Sequence, residues 1–152
     1  MTYTLQTPYK SRRDGQDVDV TELEIPEVVT VKMLRKVPPG NTMTKAHALV
    51  EACTGMSAFD AAKLTTPDAL GYSEALGDRL IPHDEPSFKV PDIKPVKTLI
   101  QKITVDVDHP VEFAAQVLQA QGMPRAEIDE MDVRGFIPVI DLIMGAFVGP
   151  KR

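Results

Sequence analysis

The sequence predicts a mainly helical α+β protein, in which an N-terminal β-hairpin packs on a small helical bundle and a second helical unit partly echoes the first. Two alternating apolar segments flank Asp14-Gly15, and amphipathic helical patterns fill most of the remaining chain. Alternation with a period of two indicates strands, and apolar spacings of three and four residues indicate helices. Hydrophobic residues make up 43% of the 152 and aromatic residues only 5%, so we expect an aliphatic core.

The hairpin is predicted from its turn and from the segments on either side of it. Asp-Gly between alternating segments is the strongest short hairpin signal. In the second segment the step from Val20 to Leu23 breaks the alternation, which predicts a bulge near Thr21. Two strands alone are marginally stable, so we expect them to rest on the helices that follow. The two predicted strands are Tyr3–Pro8 and Asp17–Ile25.

Four helices are predicted in the rest of the first half, each from its start and stop residues. Ser and Thr cap helices through their hydroxyl oxygen, Pro fits the first turn, and Gly ends a helix because it accepts positive φ. These signals predict a short helix over Val31–Val37, a long helix capped by Thr42 or Thr44 and ended by Gly55, a short helix from Ser57, and a last helix starting at Thr66-Pro67-Asp68.

A proline-rich segment follows, with four prolines and mixed charge over residues 82–95. Such composition is typical of a linker. We therefore predict a first unit over residues 1–81, a linker over 82–95 and a second helical unit over 96–152. At the start of that unit Val96–Ile100 has a helical pattern, whereas Ile103–Val107 alternates like a strand.

The second unit repeats the helix order of the first. Gly55-Met56 recurs as Gly122-Met123, 67 residues later, within two stretches that each predict a long helix, a Gly-Met break, a short acidic helix and an apolar helix. Generic amphipathic patterning is the alternative to a true duplication. The second copy is predicted from a cap at Asp108 before Pro110, from Pro124, from Asp132, from Pro138 in the first turn of the last helix, and from a stop at Gly149-Pro150.

Charge and composition disfavour several classes of function. The net charge of −5 repels phosphate, so we expect no nucleic-acid partner. The lone Cys53 lies at an apolar helical position, and no apolar run approaches the roughly 20 residues of a membrane span. His83-Asp84-Glu85 places a His beside two carboxylates, and three consecutive residues cannot all face one ion. We therefore expect no catalytic residue, no cofactor and no metal site.

The first eighty residues resemble the tail assembly chaperones of long-tailed bacteriophages, particularly those with contractile tails. The resemblance lies in the order Tyr3-Thr-Leu-Gln-Thr-Pro8, Asp14-Gly15, Val20-Thr-Glu-Leu23, Pro26, a short helix containing Leu34, a long helix, a Gly-containing break, and the spacing from Leu64 to Asp68 at the start of the last helix. It covers about half of the chain, and the second half has no counterpart in it.

The resemblance implies a protein of the host cytoplasm that binds and solubilises the tape-measure protein during tail morphogenesis and is absent from the mature virion. The tail tube protein is a further candidate partner, and self-association is left open. A virion structural or connector protein is the alternative function. We place the predicted partner-binding surface on the last helix of each three-helix stretch, at Leu70, Leu76, Ile137, Ile140 and Ile143.

Overall fold

The computed structural model describes residues 1–105 and 107–148. These residues form one antiparallel hairpin and a set of helices, which confirms the predicted α+β, mainly helical class. The elements are β1 (Thr2–Arg13), β2 (Gln16–Glu24), α1 (Val31–Arg35), α2 (Thr42–Thr54), α3 (Ala58–Ala61), α4 (Thr66–Leu76), a 3₁₀ turn (Gly77–Leu80), α5 (Lys97–Ile100), α6 (Pro110–Ala120), α7 (Arg125–Asp129) and α8 (Val133–Val148).

The chain divides into two compact units, and each is discontinuous in sequence. The first unit contains Met1–Glu27 and Lys36–Arg79. The second contains Val28–Arg35 and Leu80–Arg152. The observed division thus differs from the predicted one, because residues 28–35 and residues 80–95 belong to the second unit.

In the first unit the hairpin closes at the predicted turn, where Asp14 and Gly15 both have positive φ, 52° and 77°. The pairing slips between Thr4 and Tyr9, so that four residues of β1 stand opposite the single residue Thr21. This irregularity is the predicted bulge, with its extra residues on β1. It allows both Val20 and Leu23 to be buried despite their odd spacing.

The helices of the first unit begin and end close to the predicted residues, with two corrections at caps. Asn41 caps α2 by accepting a hydrogen bond from the Thr44 N–H at 2.8 Å, and Thr65 caps α4 by accepting from the Asp68 N–H. In both cases the cap lies one or more residues before the predicted Thr, because the Thr itself already has helical geometry. Gly55 ends α2 with φ of 73°, as predicted.

The second unit has a large apolar core. Its buried side chains come from α1, α5, α6, α7 and α8 and from the 82–95 segment, and they include Val31, Ile93, Leu99, Phe113, Leu118, Ile128, Phe136 and Ile143. Backbone hydrogen bonds tie residues before α1 to the start of α8, since the Val133 N–H donates to the Val29 oxygen and the Val31 N–H donates to the Met131 oxygen.

The 82–95 segment packs along α8 and is not a free linker. Pro138 lies in the second turn of α8, later than predicted, and its missing N–H leaves the Arg134 carbonyl without its helical partner. The His83 N–H donates to that carbonyl at 2.9 Å, and the Ser87 N–H donates to the Gly135 carbonyl at 3.2 Å. Gly135 permits this approach, because a Cβ there would lie 2.6 Å from Ser87 Cβ.

The predicted echo between the halves is visible in the element boundaries. Shifted by 67 residues, α3 and α4 begin where α7 and α8 begin, and α2 begins one residue before α6. The two breaks also match, since Gly55 and Gly122 have φ of 73° and 99°. In each unit the long helix packs against the last helix. Shared helix order and shared packing go beyond generic amphipathic patterning.

The remaining predictions concern the region before α6 and the end of the chain. Residues 97–100 form the helix that Val96–Ile100 predicted, whereas Ile103, Thr104 and Val105 are not in a strand. His109, and not Asp108, caps α6 through Nδ1, which accepts from the Glu112 N–H at 3.4 Å. Asp132 precedes α8 as predicted, and the stop at Gly149-Pro150 lies outside the described residues.

Candidate protein-binding surface

Three of the five predicted partner-binding residues belong to the core. Leu76 and Ile143 are fully buried, and Ile140 is almost so. Leu70 and Ile137 are half-buried. Each last helix buries its apolar face within its own unit, because α4 packs on α2 and α8 packs on α6. Leu70 and Ile137 remain candidates for partner contact, and α8 also exposes Leu142.

An apolar groove lies on the outer side of α8. Its volume is about 440 Å³, and Leu142 and Ala146 of the helix face residues 89–93 of the 82–95 segment across it. Leu142 is 56% exposed, although its neighbour Ile143 is completely buried. The groove therefore presents a large aliphatic side chain to solvent beside a wall that contains Val90, Pro91 and Ile93.

The composition of this groove suits an apolar side chain of another protein. Its charged lining residues are Lys89 and Asp92, one of each sign. Asp141, next to Leu142 in the helix, is exposed. Small apolar recesses rimmed by charges bind aliphatic or aromatic side chains from amphipathic helices. We call the recess lined by residues 89–93, Leu142 and Ala146 the α8 groove.

The first unit has a smaller groove beside α2. Its volume is about 380 Å³, and its lining consists of Lys36, Pro38, Ala48, Glu51, Ala52, Gly55 and Met56. Two of these residues carry charge, and Met56 is the only large aliphatic side chain among them. The α8 groove is the more apolar of the two in its side chains.

A polar pocket of about 470 Å³ in the second unit surrounds Arg35. The Arg35 guanidinium donates to both carboxylate oxygens of Glu112, at 2.7 and 2.9 Å, and to Asp129 at 3.0 Å. Burial opposes ionisation of Glu112, but the hydrogen bonds from Arg35 and Gln116 outweigh it and hold the pKa of Glu112 below its ordinary value. An ionised, paired carboxylate is a structural anchor for α1 and a poor general base at neutral pH.

Asp68 is a buried acid in the first unit, and its contacts are also structural. Its carboxylate accepts from the N–H groups of Gln6 and Thr7, at 2.8 and 3.0 Å, and from the Tyr3 hydroxyl. Burial disfavours the charged form, yet these hydrogen bonds prevail and the pKa of Asp68 is lowered. The bulge in β1 turns two successive amides toward this carboxylate, so Asp68 anchors the hairpin to α4.

Cys53 and His83 are two further residues of reactive types. Burial raises the pKa of the Cys53 thiol to about 11, so it is protonated at neutral pH. The backbone of His83 is bonded to α8. Across residues 1–105 and 107–148, no three His, Cys, Asp or Glu side chains are placed to hold a metal ion. No helix within the same ranges is long and apolar enough to cross a bilayer.

Of the three residues of α8 that sequence reasoning predicted for partner contact, Ile140 and Ile143 are buried and Ile137 is half-buried. The helix is apolar over much of its circumference, so hydrophobicity alone does not distinguish its buried side from its exposed side. Asp141 was the available signal, because it is the only charged residue in the helix after Arg134. Its neighbour Leu142 shares the outward side.

Comparison of the chain with protein-family models, with curated proteins and with solved structures finds no match.

Proposed function

We propose that this protein is a bacteriophage tail assembly chaperone that binds the tape-measure protein in the host cytoplasm. The α8 groove with its exposed Leu142 is the observation that carries the proposal. The resemblance of the first eighty residues supplies the identity of the partner, and the hairpin, short helix, long helix and glycine break occur in the order on which it rests.

The physical task of such a chaperone is to cover apolar helical surface until assembly begins. A long amphipathic chain that exposes its apolar stripe aggregates. An aliphatic side chain of that stripe inserts beside Leu142, and the rim charges of Lys89, Asp92 and Asp141 remain in water. Removing about 100 Å² of apolar surface from water yields roughly 2–3 kcal/mol, so several copies along one stripe are needed for firm coverage. The net charge of −5 keeps the coated chain soluble.

The test is co-expression with the tape-measure protein and measurement of how much of it stays soluble. We expect solubilisation by the wild-type chain and a severalfold loss of it for Leu142→Asp. Ile100→Asp is the matched control, because Ile100 lies in the same unit, is similarly exposed at 49%, and is not in the groove. Equal insolubility of the partner with and without this chain would refute the proposal.

A second measurement separates the chaperone from a virion structural or connector protein. A chaperone is absent from purified particles or far below stoichiometric amounts, whereas a structural protein is present in fixed copy number. Quantitative mass spectrometry of purified particles measures this directly. The tail tube protein, a second candidate partner, can be co-expressed in the same way.

A further inference from the structure

The two outer edges of the hairpin differ in what covers them. A two-stranded sheet leaves one edge of each strand without a strand partner. The outer edge of β1 is covered by helical side chains, since the Asp68 carboxylate accepts from the N–H groups of Gln6 and Thr7, and Lys63 Nζ donates to the Lys10 carbonyl at 2.6 Å. This edge has no room for another strand along those residues.

The geometry of the turn fixes which backbone groups of β2 point outward. A two-residue loop with positive φ at both positions makes the closing pair, Arg13 and Gln16, a hydrogen-bonded pair. Because hydrogen-bonded and non-hydrogen-bonded pairs alternate, the N–H and C=O groups of Asp17 and Asp19 face away from β1. The Lys63 bond agrees with this alternation, since Lys10 pairs with Asp19 and its carbonyl also faces outward.

The outer edge of β2 is open over residues 17–22. Among the described residues, the hydrogen bond that reaches this edge comes from the Tyr72 hydroxyl, which donates to the Glu24 carbonyl at 2.6 Å, at the far end of the strand. Asp17, Asp19 and Glu22 are exposed. The edge therefore offers unpaired backbone donors and acceptors across the stretch between the turn and the bulge.

The charges beside this edge select what can pair with it. Four of the nine residues of β2 are acidic: Asp17, Asp19, Glu22 and Glu24. Arg12 and Lys10 of β1 stand opposite Asp17 and Asp19 on the inner side of β2, so the acidic side chains of β2 are the charges next to its outer edge. Like charges opposite one another destabilise paired strands, so the same edge of a second copy is disfavoured. Opposite charges stabilise such pairs, and an extended segment can add to a free edge through main-chain hydrogen bonds.

We propose that the outer edge of β2 binds an extended, Lys- and Arg-rich segment of another protein as a third strand. This site is separate from the α8 groove and does not depend on the proposed function. Its partner has extended backbone and basic side chains, whereas the groove takes an apolar side chain.

The test uses the intact chain and a capped peptide of alternating Lys and Thr, about eight residues long to match an ordinary strand. Two control peptides accompany it: the same sequence with every second amide N-methylated, and a Glu-Thr peptide. Amide NMR shifts report the site of binding. We expect shifts concentrated at residues 17–22, binding at least about tenfold weaker for the N-methylated peptide because it cannot complete the ladder, and no binding of the Glu-Thr peptide.

A matched pair of variants separates backbone pairing from charge. Asp19→Asn and Asp19→Pro lose the same carboxylate, but only the proline also removes the outward N–H, which is not a donor to β1. We expect a few-fold weakening for Asp19→Asn and loss of binding for Asp19→Pro.

Equal binding of the N-methylated and unmodified peptides to the wild-type chain, or shifts that avoid β2, would overturn the proposal. This comparison decides the matter even if the proline perturbs the hairpin.

Discussion

The two units use one three-helix arrangement and cover it in different ways. In the first unit the covering segment is β1, which reaches α4 at Asp68 and at Gly71. In the second unit it is the 82–95 segment, which reaches α8 at Arg134 and Gly135. Shifted by 67 residues, Asp68 corresponds to Gly135, so the covering segment contacts the last helix at the same level in both units.

The two units differ in which group of the last helix accepts hydrogen bonds from the covering segment. In the first unit a helix side chain accepts hydrogen bonds from the covering backbone, through the Asp68 carboxylate. In the second unit the helix backbone accepts them, through carbonyls that Pro138 and Gly135 make accessible. The contact with the covering segment thus involves Asp68 and Gly71 of α4 in the first unit, and Gly135 and Pro138 of α8 in the second.

The largest expected effect is that of Asp68→Ala. The change leaves the amides of Gln6 and Thr7 and the Tyr3 hydroxyl without their acceptor, at about 1 kcal/mol for each of these part-buried hydrogen bonds. We expect a loss of several kcal/mol in the first unit alone. Hydrogen exchange resolved by residue should show faster exchange in β1 and β2 and unchanged exchange in α6 and α8. Uniform loss of protection in both units would contradict independent coverage.

Arg35→Met tests the corresponding anchor of the second unit. It leaves Glu112 and Asp129 without their guanidinium, and truncating one partner of a largely buried pair costs about 3 kcal/mol. Solvent reaches the carboxylates in part, which reduces this cost. We expect faster exchange in α1, with β1 and β2 unaffected. Lys32→Met in the same helix, where Lys32 is exposed, is the control and should change little.

Gly71→Ala and Gly135→Ala form a matched pair with smaller effects. A Cβ at Gly71 would lie 2.9 Å from Tyr3 Cζ, and one at Gly135 would lie 2.6 Å from Ser87 Cβ. We expect each to cost about 1–3 kcal/mol through overpacking and to loosen only its own covering segment. Gly145→Ala is the control, because nothing lies within 4 Å of its Cβ position and alanine favours the helix.

The smallest effect is expected from Pro138→Ala. The new N–H competes with the His83 N–H for the Arg134 carbonyl, so the helix gains about as much as the 82–95 segment loses. We expect the free energy of unfolding to change by about 1 kcal/mol or less, within the ordinary range for a single substitution. Exchange of the His83 amide should nevertheless accelerate. Unchanged protection of His83 would show that this bond does not hold the segment.

Local signals sufficed for most of the fold, whereas contacts between distant residues were not predictable. The hairpin followed from Asp14-Gly15, and the element starts followed from caps and the repeat. The role of Asp68 depends on amides 62 and 61 residues away, and no local pattern encodes it. The linker prediction failed because four prolines indicate irregular backbone but do not reveal whether that backbone is packed.

The candidate surface illustrates a different limit. Periodicity identifies the buried side of a helix only when its other side is polar, and in α8 nearly all residues are apolar. Burial of Ile140 and Ile143 and exposure of Leu142 are decided by where α6 and the 82–95 segment lie. The acidic residues of β2 were visible in the sequence. That they lie beside the open edge of the hairpin follows only from the hydrogen bonds that cover the outer edge of β1.

The discontinuity of the second unit sets an order of completion during synthesis. The first unit has all its residues once Arg79 has been made, whereas α1 finds Met131 and Val133 only after α7. At the usual 5–20 residues per second this interval lasts roughly 3–10 s. Until it ends, Val29 and Val31, which are fully buried in the finished protein, lack part of the core that covers them. If the ribosome paused between these points, all residues of the first unit would be present while the second unit still lacked part of its apolar core.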